Sequence, residues 1–246
     1  MIPALLLATR NPQKLAELRR HLRGVQARYR TLDAYPAIPV VRENGATFEA
    51  NAIKKALLPS RRVPEAVVIA EDSGLVVDTL HGAPGVRTAR FARARRGVDG
   101  YGKRKPYHRL LADRDEANNA KLLRVLRHVP TARRGAAFVC VVALARRGRL
   151  LGVVRGECRG VISEQLRGAT GFGYDPLFVP RGFRRTFAEL GPRAKDRLSH
   201  RARAMRRARP LIEKSLRSAR AAAGTPAAAP SRSAVPPASR RRGSGR

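Results

Sequence analysis

Tryptophan is absent from this 246-residue chain, aromatics make up 5%, and 2 cysteines and 18 acidic residues stand against 52 lysines and arginines. Each shortage excludes something. With no CxxC and no Cys/His ligand spacing, a zinc-ribbon type of site is excluded. Cys140 and Cys158, both in apolar or strand-like stretches, therefore read as buried free thiols in a reducing compartment. The longest apolar run, residues 136–145, is far too short to span a bilayer. No basic segment precedes the N-terminal leucines, which argues against a signal peptide and for a cytoplasmic location. There is no Walker pattern and no internal repeat, so any phosphate site is not a P-loop. The hydrophobic fraction of 43% is nonetheless ordinary for a globular chain, and the length suits one substantial core plus a tail.

What the chain has in excess is arginine: 44 against 8 lysines, for a formal charge of +34. Such a charge attracts phosphate-rich partners. It equally fits arginine spread over solvated faces, because the excess is diffuse rather than gathered on one motif. From about Gly224 the composition turns to Ala, Pro, Ser and Arg without apolar periodicity, and disorder is expected there. Two regions follow: a domain over 1–220, and a tail over 221–246 through which alone nucleic acid could be engaged.

Strands and helices interleave along the first region. Residues 2–8 read as a buried strand, followed by a helix that Pro12 opens and Leu15, Leu18 and Leu22 give an apolar face. A second helix is expected over 48–58 behind an N-cap at Thr47. Residues 66–70 read as a short buried strand ended by Glu71-Asp72, with Ser73-Gly74 turning away. A basic loop over 93–105, a helix over 110–126, a hairpin of strands 136–145 and 150–158, and a glycine-rich loop over 168–178 follow. Ser199 reads as the N-cap of a last helix that Pro210 should kink or interrupt. This is the pattern of an α/β domain.

Glu71-Asp72 stands out because acids are scarce. Alternation sends the two side chains in different directions, and carboxylates at a strand end hold a divalent cation, move a proton or cap a turn. Ahead of the first helix, Thr9-Arg10-Asn11-Pro12-Gln13-Lys14 makes a strand-to-helix turn, suited to an anion or simply capped. Glu43 precedes the second helix and either reaches the same cation or caps. Gly171-Phe172-Gly173-Tyr174-Asp175 offers close backbone approach, stacking rings and an acceptor, or else is a tight turn with core aromatics. Lys195, His200 and Arg201 cluster at the last helix start, where cations oppose the helix dipole and so suggest a ligand.

In this order and with these separations, the segments resemble the inosine/xanthosine triphosphate pyrophosphatases, enzymes that clear non-standard purine nucleoside triphosphates. The matching pieces include Glu17, Lys55-Ala56, Gly82–Val86, Asn118–Leu123 and Ala188-Glu189, and they cover residues 2–205. The resemblance implies an elongated two-lobed α/β fold around a central mixed sheet, the active site in the cleft between lobes, a homodimer, and a Mg²⁺ requirement. It implies Asp72 as general base and metal ligand, with Glu43 and Glu71 as further ligands. The turn from Thr9 to Lys14 would hold the triphosphate, with Ser73 touching substrate. Phe172, Gly173, Tyr174 and Asp175 would receive the base, and Lys195, His200 and Arg201 would complete the pocket. His200 or Arg201 would donate to the 6-keto oxygen. The sequence departs from the family at Ala50, where an acid is common, at Asp196, where asparagine is common, and in a basic insertion over 93–113. Two other readings compete: a house-cleaning enzyme for modified pyrimidine nucleotides, and a basic nucleic-acid-binding protein.

Overall fold

The computed structural model describes residues 2–92 and 107–224. The basic loop expected over 93–105, with most of the presumed insertion, and the tail from 225 onward lie outside them. Six strands form one mixed sheet: β1 (Ala4–Leu7), β2 (Arg28–Thr31), β3 (Val67–Val77), β4 (Gly135–Arg146), β5 (Arg149–Ile162) and β6 (Phe178–Pro180), in the order β2-β1-β3-β4-β5-β6. β1 runs parallel to both neighbours, and every pairing from β3 onward is antiparallel. Five helices pack on it: α1 (Pro12–His21), α2 (Phe48–Arg62), α3 (Tyr107–Leu126), α4 (Phe187–Leu198) and α5 (His200–Gly224).

Strand alternation sorts the core into layers. Leu5, Leu7, Val67 and Ile69 face α1 and α5, meeting Leu18, Met205, Ala208 and Ile212. Leu6, Val68 and Ala70 face the other way, onto Phe48, Ala52 and Ala56 of α2. A third cluster joins the far end of β3 and β4 to α3 and α4 through Leu75, Phe138, Leu122 and Phe187.

Several expectations are corrected. β3 does not end at Ala70: its register with β4 is unbroken from Val68 opposite Ala145 to Val77 opposite Ala136, carrying Glu71, Asp72, Ser73 and Gly74 inside the strand. The Ser-Gly pair is no turn here. At Gly74 a Cβ would stand 2.6 Å from the Gly85 carbonyl oxygen and 2.9 Å from Phe48, so the glycine permits close packing. α2 is capped by the Thr47 side chain, as expected, but runs through Pro59 to Arg62. α5 likewise continues past Pro210, because its apolar stripe from Met205 to Ala219 stays on the sheet on both sides of the proline. β2 and α4 have no counterpart in the sequence reading. The hairpin β4–β5 does, with Arg147 and Gly148 both at positive φ, as a two-residue turn requires.

Candidate functional site

Glu71 leaves β3 on the α1/α5 side. It is 1% exposed, and its carboxylate takes the Arg201 guanidinium at 3.0 Å, Lys14 Nζ at 3.0 Å and the Cys140 thiol at 3.1 Å. Arg201 also donates to Glu17 and, at 3.1 Å, to Ser73 Oγ. Glu17 in turn holds Lys195 at 3.0 Å, and Lys195 holds Asp175. Lys14, Glu71, Arg201, Glu17, Lys195 and Asp175 thus alternate in sign along one buried chain, three cations with three carboxylates. Such compensation is what allows charges to be buried at all. Burial pushes the two glutamates up, but Arg201 followed by a lysine outweighs it, drawing Glu71 well below the carboxylate range and Glu17 down to about 2. The thiol of Cys140 is pushed well up by burial and Glu71, and stays protonated.

Asp72 leaves β3 on the opposite side, toward α2. Asn51 Nδ2 donates to its Oδ2 at 3.3 Å and Lys55 Nζ to its Oδ1 at 3.1 Å. The same ammonium reaches Glu43 Oε1 at 3.2 Å. Burial pushes the Asp72 carboxyl up; Lys55 and Lys14 pull against it, Glu43 adds to it, and the net shift is upward. Lys55 moves up too, because Asp72 and Glu43 outweigh its burial. Asp72 and Glu43 therefore share one cation position, while Glu71 is turned away from them by the pleat. Among the described residues no group of three or more His, Cys, Asp or Glu side chains converges.

Both networks border a cavity of about 350 Å³, within the range of ligand sites. The first turn reaches it through Thr9, Arg10, Asn11 and Lys14. Asn11 caps α1, its Oδ1 accepting the Gln13 and Lys14 amides, and Thr9 Oγ1 accepts the Asn11 amide at 3.2 Å. Pro12 and Gln13 do not border it. Arg10 donates to the Ile38 carbonyl at 2.8 Å and so anchors an apolar segment, Ile38 to Val41, that lines the mouth. Glu43 and Ser73 reach the wall, whereas Asp72 lies just behind it beside Lys55.

Phe172, Gly173, Tyr174, Asp175, Lys195, His200 and Arg201 line the same cavity. The half-buried Phe172 ring carries Lys195 Nζ 4.1 Å from its centroid. Tyr174 belongs to the core, its hydroxyl donating to the Thr88 carbonyl at 3.0 Å. Asp175 Oδ2 is occupied by Lys195 and the Phe172 amide. His200 stacks on Phe138 with centroids 4.8 Å apart, and its buried Nδ1 has no partner. Burial, then Arg201 and Lys195, hold that imidazole well below its usual range, so it is neutral. This resolves the cation expected at the start of α5: Arg201 is neutralised by carboxylates and His200 carries no charge.

Five polar residues were given no role from sequence. Asn51 and Lys55 orient Asp72, Glu17 joins Arg201 to Lys195, and Asp115 and Asn119 of α3 bond the Gly173 backbone. The available signal for Glu17 was its spacing, one turn after Lys14 on α1.

The chain matches the Ham1 family over residues 5–211. A dITP/XTP pyrophosphatase of Anaeromyxobacter sp. (strain Fw109-5) is 47% identical, covering 85% of this chain and 96% of that protein. One of Frankia alni is 45% identical over 87% of this chain and 98% of its own. Among solved structures, a HAM1 protein of Coxiella burnetii superposes with a TM-score of 0.71 at 30% identity, over 87% of this chain and 100% of that one. A nucleoside-triphosphatase / dITP/XTP pyrophosphatase of Mycobacterium abscessus gives 0.63 at 41% identity, over 85% and 99%.

Proposed function

The chain belongs to the Ham1 family, and from that premise we propose that it hydrolyses dITP, XTP and ITP to the monophosphate and pyrophosphate. One observation carries the reading: an anion-ready helix start, Glu43 with Asp72 just behind the wall, and a neutral histidine meet at a single cavity of about 350 Å³. The triphosphate lies along Thr9, Asn11 and Lys14, where the positive end of α1 and the Lys14 ammonium favour anions. The base lies at Phe172 and His200.

The donor set suits Mg²⁺, an ion that takes one or two carboxylates and completes its shell with water and phosphate oxygens. Asp72 and Glu43 would hold it; they already share a cation, the Lys55 ammonium. Glu71, tied to Arg201 and Lys14, is not in reach of that role while those bonds stand. When bound, the ion supplies charge neutralisation along the polyphosphate. Asp72 takes the proton of the attacking water as the bond between the α- and β-phosphates breaks, and its raised pKa makes it the better proton acceptor. Lys14 steadies charge on the leaving pyrophosphate. Of the two donors considered for the 6-keto oxygen, His200 is favoured, since its Nδ1 is unpartnered and the Arg201 donors are taken. A 6-amino group would leave that donor unpaired, a defect that discriminates by up to ~10⁴–10⁵-fold.

The same reading includes a two-lobed shape with the site in the cleft, a homodimer, a cytoplasmic location, and a catalytic unit ending near residue 220. No helix among the described residues is long and apolar enough to cross a membrane. Pyrophosphate release from ITP, dITP, XTP, ATP and GTP, with and without Mg²⁺, tests the proposal. Expected are Mg²⁺-dependent release from the first three and little from ATP. Equal rates for ITP and ATP would refute it.

A further inference from the structure

Helix α3 stands outside the charge networks, yet its polar face is committed to the cavity. Asp115 and Asn119 lie one turn apart and so share a face. Asp115 Oδ2 accepts the Gly173 amide at 2.7 Å, and Asn119 Nδ2 donates to the Gly173 carbonyl at 2.9 Å. Acceptor and donor thus grip both backbone groups of a single residue. Asn118, beside them, ties two further residues: its Oδ1 accepts the Ala92 amide at 2.8 Å and its Nδ2 donates to the Thr88 carbonyl at 3.3 Å. The φ of Gly173 is +64°, and the turn around it is otherwise closed by bonds between Phe172 and Asp175. Asn119 is 5% exposed and its Oδ1 has no partner, so the bond to Gly173 is what orients that amide. Asp115 is also paired to Arg114 at 3.3 Å.

We infer that Asp115 and Asn119 are positioning residues for base recognition: by clamping Gly173 they fix the neighbouring Phe172 ring against which the base packs. The inference rests on the nucleotide reading above. It assigns to α3 an effect on the base and none on the polyphosphate, because the clamp bonds Gly173 and not the turn from Thr9 to Lys14.

Two substitutions break the clamp, the first isosteric and the second a truncation. Asn119→Asp turns an oxygen toward the Gly173 carbonyl, and Asp115→Ala removes the acceptor. Each should raise KM for dITP and weaken binding of inosine monophosphate by about tenfold, the worth of one to two hydrogen bonds. kcat should stay within about threefold, and inhibition by inorganic tripolyphosphate, which has no base, should not move. Asp115→Asn keeps an acceptor and should restore KM. Hydrogen exchange at the Gly173 amide reads the clamp without nucleotide: slow in the native protein, fast in Asp115→Ala. Unchanged KM, a parallel loss of tripolyphosphate affinity, or loss confined to melting temperature and kcat would overturn the inference. So would an unprotected Gly173 amide in the native protein. A native protein that leaves dITP intact while protecting that amide would overturn the functional reading and its KM consequence, with the clamp itself still standing.

Discussion

On one face of β3, Glu71 is sealed among Lys14, Arg201 and a thiol; on the other, the next residue, Asp72, sits beside a cavity with Asn51 and Lys55. Both are carboxylates and both are buried, yet their acidities move in opposite directions. Burial raises each. What differs is the number and placement of cations. Glu71 receives a bidentate guanidinium and an ammonium, enough to overwhelm desolvation, whereas Asp72 shares its one close ammonium with Glu43. The pleat alone makes this division, by sending neighbours to opposite sides. One acid becomes part of the frame; the other is left beside the cavity, for the role of proton acceptor proposed above.

If that division is right, the two residues should fail in different ways. Asp72→Asn should lower kcat for dITP by a hundred- to ten-thousandfold, with a melting temperature close to the native one, because Lys55 keeps Glu43 as its partner. Glu71→Gln should do the reverse. It leaves Arg201 and Lys14 short of a counter-charge in a buried site, costing about 3–5 kcal/mol, on the order of 10 °C in melting temperature for a chain of this size. Any activity lost at low temperature should be minor beside that.

The frame side should also be acid-sensitive. Glu17 stands near 2 in the folded protein against an ordinary 4.5. As pH falls below about 4.5 the unfolded chain binds the proton first, and stability drops until about pH 2, by at most ~3 kcal/mol from this group. Denaturant titrations at stepped pH should show this slope, and Glu17→Gln should flatten it. The smallest effect concerns the strand itself. Gly74→Ala would press a methyl group on the Gly85 carbonyl, Phe48 and Thr88, costing about 1–3 kcal/mol by overpacking. A neutral or stabilising result would mean that β3 is looser at this point than its register with β4 implies.

How much of this was legible follows from which forces are local. The alternation of Glu71 and Asp72, the N-caps at Thr47 and Ser199 and the β4–β5 hairpin depend on neighbours in sequence, and the structure agrees with the sequence reading of each. The end of β3 was not legible, because Ser73-Gly74 has turn chemistry while the pairing that overrides it comes from β4, some seventy residues on. β2 is only four residues long, so its alternation of exposed Arg28 and Arg30 with half-buried Tyr29 and Thr31 is too brief to mark a strand, and α4 announced itself only by the capping box of Thr186 and Glu189. In the site, every residue type was on view, but partnership was not. Arg201 and Glu17 lie 184 positions apart, and nothing local says that Arg201 is spent on carboxylates while His200 is neutral.

The most direct test is a carbon-detected NMR titration of the Glu71 and Asp72 side-chain carboxylates in the metal-free protein. Asp72 should protonate above the ordinary aspartate value of 3.8, while Glu71 stays ionised to the lowest pH at which the fold persists. Coincident titration of the two, or Glu71 protonating first, would contradict the account.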